Sequence, residues 1–529
     1  MKSTGFVAVF ASLAGCASAE WQFRSRPDLS PPRLNITIPA SSDISPGFIF
    51  VTPYPGREAA AVLPEQRAGY ILRDNGDLVW SSLGYLSGFV ANLQVARYQG
   101  QPVLQAFQGT IDPRHGRGHG TLQILDDHYR PVAQIQSLTN KIPSIHELRI
   151  VDGKTALVEI YDPVSYDLTP YGGSEDQTWI VDSILQEIDI ETGELIFEVH
   201  SLDIVSPADS LAPLPVGAAL NAPDAWDYFH LNSIDKDDEG NYLISSRHTS
   251  TIYKLSGRDG SIIWKLGGHQ STFRPSPDLD FGFQHDARFL NRSADGAVET
   301  ISFFDNSAWT FGPDENQAAT LRPHSRALIV QLNHADNSAS VLQSYTSPDR
   351  LSAASQGNAQ VLANGHVFVN WGQEGAVTEF RADGTPIFNA FLDTGAAVQS
   401  YRGFRFEWTG RPSEVPAVAA LRDGAETSVY VSWNGDTEVA LWRFYAQDGD
   451  SADATSVRKI AEAQRVSFET GVTVSTESLR DLGASARIFA AGFDRQGTVL
   501  TRTREVAVQE DVHASTGSGG GRDGEPGEL

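Results

Sequence analysis

The chain has 529 residues, 66 of them acidic against 40 basic, for a formal net charge of -26. A surface of that sign repels phosphate backbones and anionic membranes, which excludes nucleic-acid binding as a function. With 40% hydrophobic residues, 10 Trp, 15 Tyr and 26 Phe, the chain can bury a large core, and its length brackets one to three domains.

At the N-terminus, Lys2 precedes an apolar stretch from Phe6 to Leu13, and Ala17-Ser18-Ala19 offers a cleavage site. Residues 1–19 therefore read as a secretory signal, too short to span a bilayer, and no other segment suggests a transmembrane helix. A buried N-terminal helix is the plain structural alternative, and Leu13-Ala14-Gly15-Cys16 would also suit a bacterial lipoprotein cut that anchors the chain at Cys16. The single cysteine and the single methionine both lie in this leader, so a chain cut after Ala19 holds no disulfide. Asn35-Ile36-Thr37 and Asn291-Arg292-Ser293 are sequons, which makes Asn35 and Asn291 glycosylation sites in a eukaryotic secretory route.

Downstream, a hairpin signature recurs: a turn of Asp, Asn or Gly, then an apolar strand. The copies are Asn75-Gly76, Asp126-Asp127, Thr192-Gly193, Asp259-Gly260, Asp336-Asn337 and Asp383-Gly384, each followed by a strand such as Leu78-Val79-Trp80 or Ile262-Ile263-Trp264. All but the first are preceded by strands that open on alternating apolar positions, at Ala91, His146, His230, His285 and Gly357. The clearest unit predicts four strands, His230 to Ile234, Asn241 to Ser246, Thr251 to Leu255 and Ser261 to Leu266, which is one propeller blade. The first copy lacks an opening strand, and Arg402-Gly403-Phe404-Arg405-Phe406 fits that pattern with no blade behind it. The sequence thus predicts an all-β chain: a six-bladed β-propeller over residues 20–410, with N- and C-terminal strands closing one blade and no open sheet edge. Residues 411–510 read as a small β-sandwich of fibronectin or immunoglobulin type, and 511–529 as a disordered Gly-rich tail.

In a four-stranded antiparallel blade, the start of the first strand and the loop between the second and third lie on one face. That geometry groups His146, His230 and His285 around the channel, with Asn358 at the equivalent place in the next blade. It adds the stretch Asp112 to Gly120, Tyr161-Asp162, Arg247-His248, Asp305-Asn306 with Ser325-Arg326, and Trp371-Gly372 on the same rim. Imidazoles, guanidiniums and amides converging there fit a pocket that binds an anion and moves protons near neutral pH. Each histidine taken singly also reads as a structural hydrogen-bonding residue; recurrence at equivalent positions favours function. Three imidazoles could hold zinc, but no supporting pattern accompanies them, and the reading is that no metal is bound. The acidic turn Asp235 to Gly240 lacks the spacing of a calcium loop. No G-x-S-x-G, Walker or dinucleotide motif is present, and no cofactor is expected.

At these residues the chain resembles the arylsulfotransferase family, especially its secreted fungal branch. The matching stretches are His146-Glu147-Leu148-Arg149, Trp226 through His230 to Ile234, Ser245 to Tyr253, Gln284-His285-Asp286-Ala287-Arg288-Phe289 and Phe304-Asp305-Asn306. The resemblance implies a six-bladed propeller and, as in the bacterial enzymes, transfer of sulfate between phenols through a sulfated histidine with no nucleotide donor. It implies that His230 and His285 are active-site histidines and that Arg326 binds sulfate. One departure matters. The bacterial nucleophile precedes the blade that here opens near Gly357, yet no histidine occurs between His334 and His366, and Leu351 to Asn358 offers Ser and Gln instead. An amide cannot carry sulfate as an imidazole does.

Three functions are open on this reading. The first is a secreted or secretory-pathway arylsulfotransferase-like enzyme acting on a small phenolic or aromatic substrate. Here His230, His285 and His146 are catalytic, and Arg326, Arg247, His248, Asn306 and Asn358 bind the substrate. The second keeps the pocket for a cofactor-free tailoring step on a secondary metabolite, such as cyclisation, isomerisation or dehydration. The third is a secreted binding protein without enzymatic activity. Substrate identity, the choice of nucleophile and the oligomeric state are not legible in the sequence.

Overall fold

The structure, a computed structural model, describes residues 23–56, 66–310, 318–392, 398–448, 457–482 and 485–511. The leader with Cys16 and all but the first residue of the Gly-rich tail lie outside the described residues. The chain is all-β with antiparallel sheets, and only short helical turns interrupt the strands.

Among the described residues, six sheets each contain four strands paired antiparallel in a row, consecutive in the chain in sheets two, three, four and six. Sheet two runs from Phe89–Tyr98 to Pro131–Ile135, sheet three from Pro143–Val151 to Leu195–His200, and sheet four from Leu231–Lys236 to Ile262–Gly267. Sheet five opens with His285–Arg292 and sheet six with Asn358–Val361. Sheet one is assembled from both ends of this region: Val398–Phe406 pairs with Phe48–Pro55, which is followed by Tyr70–Leu72 and Leu78–Ser81. Two added edge strands have no counterpart in the repeat pattern: Asn35–Ile38 on sheet six, and Arg274–Pro275 running parallel on sheet five.

The middle strands are apolar on both faces because each face meets a different neighbour. Side chains alternate sides along a strand, so Leu243 packs with sheet five while the adjacent Ile244 packs with sheet three. In the same way Ile49 faces sheet six and Phe50 faces sheet two. Each successive pair of sheets shares one apolar cluster, and the series returns from sheet six to sheet one. Along the opening strands, polar side chains stitch neighbouring sheets together. Asn232 Nδ2 donates to Gln284 O (2.7 Å), Asn358 exchanges two bonds with the Gly403 backbone (2.9 Å each), and Gln360 does the same with Arg405.

The opening strands meet on a buried charge hub. From sheet one, the Arg402 guanidinium donates to Glu147 Oε1 (3.0 Å) in sheet three and to Asn232 O (2.8 Å) in sheet four. Arg288 in sheet five bridges Glu147 Oε2 (2.7 Å) and Asp286 Oδ1 (2.6 Å). Asp286 accepts the Ala359 N–H of sheet six (3.2 Å). Burial alone would raise Glu147, but Arg288 and Arg402 hold it below the usual range, so its carboxylate faces the two guanidiniums charged.

Residues beyond 411 form two further sheets, one built around Ala417–Asp423 and Glu426–Ser432, the other around Leu441–Gln447 and Arg487–Phe493. They share a core containing Val429, Val431, Trp442, Phe444 and Ile488. This unit docks on sheets one and two: Trp80 stacks on Tyr129 (4.9 Å), whose hydroxyl donates to Gly435 O (2.6 Å), and Asn434 exchanges two bonds with the Ser81 backbone. A Cβ on Gly435 would lie 2.4 Å from the Tyr129 ring, so only glycine allows this approach.

Removing one partner of a buried pair strands the other charge. Arg402→Met is expected to cost about 3–5 kcal/mol of unfolding free energy, read as a lower urea midpoint, because Glu147 is left uncompensated. Arg411→Met, which breaks the exposed Arg411–Asp127 pair, is expected to cost under about 1 kcal/mol. Equal shifts for the two variants would contradict the hub's role.

Candidate active site

Directly beside the hub, the residues that begin the opening strands bring imidazoles together. The His146 and His230 rings lie 4.9 Å apart, His230 and His248 4.6 Å, and His285 sits 6.4 Å from Tyr401, which in turn is 5.3 Å from His146. All four histidines and Arg247 are buried. Tyr161 packs at 5.0 Å from His146 and donates its hydroxyl to Leu231 O, whereas the buried Tyr401 hydroxyl has no hydrogen-bond partner among the described residues.

Each ring is held differently, and the difference sets what each can do. Asp227 Oδ1 accepts the His230 backbone N–H (3.1 Å) and its Oδ2 lies 2.7 Å from His230 Nδ1. The carboxylate thereby fixes the tautomer with the proton on Nδ1 and leaves Nε2 as a lone pair with no partner among the described residues. His248 Nδ1 donates to the Asp227 carbonyl (2.5 Å) and its Nε2 accepts from Arg247 Nη1 (2.9 Å). His285 Nδ1 donates to Asn306 Oδ1 (2.6 Å), and its Nε2 accepts the Gln356 N–H (3.2 Å). Asn306 Nδ2 donates to the Ala353 and Gln356 carbonyls, which orients its amide. His146 Nδ1 is 3.2 Å from Ser144 Oγ and 3.5 Å from Glu159 Oε1, and its Nε2 has no partner among the described residues.

Burial governs the protonation states. It pulls His146 down to about 3, helped by the charges of Arg402, Arg247 and Arg117 and opposed by Asp227. Burial likewise holds His230, His248 and His285 well below the ordinary imidazole range, with His146, His230 and Arg247 respectively as the next cause. Burial, then Glu147, raises Glu159 well above the carboxylate range, and burial raises Tyr161 and Tyr401. Near neutral pH the site therefore presents neutral imidazoles, with the Nε2 lone pair of His230 set by its carboxylate partner, beside protonated phenols.

The other sequence candidates fall elsewhere or do other work. Arg247 contacts His248 and donates to Ala354 O (3.0 Å) within the cluster. Arg326 is turned to Asp305 Oδ2 (3.0 Å) and to the carbonyls of Asp278 and Asp280, so it clamps the loop before sheet five. Asn306 positions His285, and Asn358 ties sheet six to sheet one. Asn35 and Asn291 are exposed. Asp227, His230 and His248 offer ligand atoms within 4.8 Å of one another, but both His248 nitrogens and His230 Nδ1 are already bonded and a guanidinium faces the group, which suits a cation poorly. Sequence reasoning named the segments holding Asp227, Arg117 and Arg402 without singling these residues out, and it passed over Glu159 and Tyr401. A carboxylate three residues before His230 was the one local signal available.

Fold and site together define an all-β protein whose buried histidine cluster is arranged for acid-base or nucleophilic work. The family model described as arylsulfotransferase (ASST) matches residues 94–392, more than half of the chain, and the protein belongs to the arylsulfotransferase family. No curated protein matches it. Among solved structures it is similar to a protein of unknown function from Bacteroides caccae, at 13% identity over 68% of this chain and 100% of that one, with a TM-score of 0.37. It is also similar to a protein from Lactobacillus plantarum (11% identity, 81% and 99% coverage, TM-score 0.33). A third is the GH43 BlXynB protein from Bacillus licheniformis (10% identity, 80% and 90% coverage, TM-score 0.29).

Neutral buried imidazoles link stability to pH. The unfolded chain takes up a proton at each histidine as pH falls through about 6.5, whereas folded His146 does so only near 3. Its contribution is intact above about pH 6.5 and is lost as pH falls from there towards the folded value. His146→Gln is expected to reduce the slope of unfolding free energy against pH by about one proton in that window, followed by urea unfolding. An unchanged slope would show that His146 is protonated in the folded state.

Proposed function

We propose that this protein is a sulfuryl-transfer enzyme acting between aromatic hydroxyls, with His230 as the group that carries sulfate and no nucleotide donor. The observation that carries this reading is the Asp227–His230 pair, which leaves a neutral Nε2 lone pair free in a buried cationic site. In the first half-reaction, Nε2 bonds to the sulfur of an aryl sulfate as the sulfur–oxygen bond to the ring breaks and the phenolate leaves. In the second, an acceptor phenol oxygen bonds to sulfur, the nitrogen–sulfur bond breaks, and the proton lost by the acceptor equals the one gained by the first phenol. His146 and the unpartnered Tyr401 hydroxyl are placed to relay that proton. The same reading takes the six sheets as blades of a closed propeller. It is supported by apolar clusters that return from sheet six to sheet one and by the pairing of Val398–Phe406 with Phe48–Pro55. The C-terminal pair of sheets reads as a fibronectin-like sandwich.

A second reading, cofactor-free proton transfer on an aromatic metabolite, is favoured by one feature. The segment where the bacterial enzymes place their nucleophile here lies over His285, with the Gln356 N–H on its Nε2. In that case sulfate esters are not turned over, and deletion of the gene changes the producing organism's small-molecule profile.

The test is to incubate the protein with 4-nitrophenyl sulfate and phenol. Nitrophenolate release should depend on the acceptor, phenyl sulfate should form, and an acid-labile histidine adduct should accumulate when the acceptor is omitted. His230→Ala should remove turnover, and Asp227→Asn should lower it on the order of 10³-fold through loss of the tautomer. Retained turnover in His230→Ala, with loss in His285→Ala, would reassign the nucleophile.

A further inference from the structure

Among the buried arginines of this protein, Arg117 stands apart. Arg402, Arg405 and Arg326 each meet a carboxylate, and Arg247 donates to His248 and Ala354 O. Arg117 is 6% exposed as a residue, and its side chain, whose nitrogens are not fully enclosed, makes no hydrogen bond or ion pair among the described residues. It begins the strand Arg117–Leu125, and its place beside the histidines follows from the next residue. The Gly118 N–H donates to Ser144 Oγ (3.2 Å), and that oxygen is 3.2 Å from His146 Nδ1. A Cβ on Gly118 would lie 2.0 Å from the Ile145 side chain, so glycine is what lets this strand run so close to the opening strand of sheet three. The hairpin that presents Arg117 is pinned from outside, because His115 bonds both Asp112 (2.6 Å) and Asp224 (3.2 Å) and Arg114 pairs with Asp224 (3.1 Å). Burial is the main cause that keeps His146 and His230 neutral, and the Arg117 charge adds to it at both.

We propose that Arg117 grips the anionic group of the substrate, a singly charged aromatic ester, and that Arg326, to which the sequence motif points for this task, is a loop clamp. The inference rests on reading the histidine cluster as a group-transfer site. The hub beside it is self-neutralised, and Glu159 is held uncharged by burial and by Glu147. Around the rings, the two guanidiniums of Arg117 and Arg247 then exceed the one carboxylate of Asp227 by a single positive charge. A buried cation without a partner is unfavourable for folding, and a ligand of one negative charge supplies what the fold withholds. The planar fork of a guanidinium matches two oxygens of a sulfate ester, which gives orientation as well as attraction.

The test uses the full chain, calorimetric titration, and two probes that differ only in charge: 2-naphthyl sulfate and 2-naphthol. Arg117→Met should weaken 2-naphthyl sulfate by about tenfold or more and leave 2-naphthol unchanged, with Arg117→Lys between the two. The unliganded Arg117→Met protein should also melt at a higher temperature than the native one, the reverse of what loss of a structural arginine does. Equal affinity of native and Arg117→Met protein for the ester, equal loss for both probes, a lowered melting temperature, or a native protein that does not prefer the ester would each overturn the proposal. Binding needs no turnover, so the two readings fail separately. A protein that holds the ester through Arg117 without transferring sulfate removes the reaction, and undiminished transfer in Arg117→Met removes the role of Arg117.

Discussion

The contact between Arg402 and Glu147 is the constraint on which the rest of the arrangement depends. Arg402 belongs to the strand that returns to complete sheet one, and Glu147 to the opening strand of sheet three, so the pair ties distant parts of the chain together. Asn232, Arg288, Asp286 and Ala359 join the same network, bringing the opening strands of five sheets to one point. A pair of this kind stabilises little compared with apolar packing of the same volume, but it is strict about geometry: a strand shifted by one residue would leave a charge buried alone. The hub is thus better understood as a register device than as a source of stability, which the six apolar clusters supply.

That register decides the chemistry, because His146 precedes Glu147 and His285 precedes Asp286 in the chain. Fixing the two carboxylates in the hub brings both imidazoles close to Tyr401, the neighbour of Arg402. The site and the hub divide the polar residues between them. Carboxylates and guanidiniums neutralise one another in the hub, while the imidazoles beside it are stripped of their protons by burial and sorted by their hydrogen bonds. His285 and His248 have both nitrogens engaged and act as fixed walls; His230 and His146 each keep one nitrogen without a partner among the described residues. Similar residues at equivalent repeat positions have therefore become different chemical groups through their second partners alone.

How far the sequence discloses this depends on the range of the signal. The strand quartet at His230 to Leu266 is written in two-residue alternation and in the turns at Asp237 and Asp259, which are local, and the observed strands Leu231–Lys236 to Ile262–Gly267 follow it closely. The completing strand at Arg402 was legible for the same reason. Partner choice is not local. Arg326 sits in a motif that points to sulfate, yet its guanidinium meets Asp305 and two carbonyls from a loop whose path no periodicity encodes. Asn358 occupies a repeat position equivalent to a histidine, but its short amide reaches only the Gly403 backbone. Arg117 was hidden in a glycine-rich stretch whose meaning became visible only once Gly118 was seen against Ile145.

The overall charge of -26 and a pocket suited to an anion are compatible because the two act over different ranges. Carboxylates on the surface are separated by water and salt from anything beyond roughly 8 Å at physiological ionic strength. Inside the cluster the medium is far less polarisable, so the guanidiniums of Arg117 and Arg247 act on a bound group almost unscreened. An acidic exterior slows the encounter with an anion without setting the affinity of a group enclosed among the histidines. Net charge therefore describes the long-range field of the surface and says nothing against a small anion that fits among the histidines.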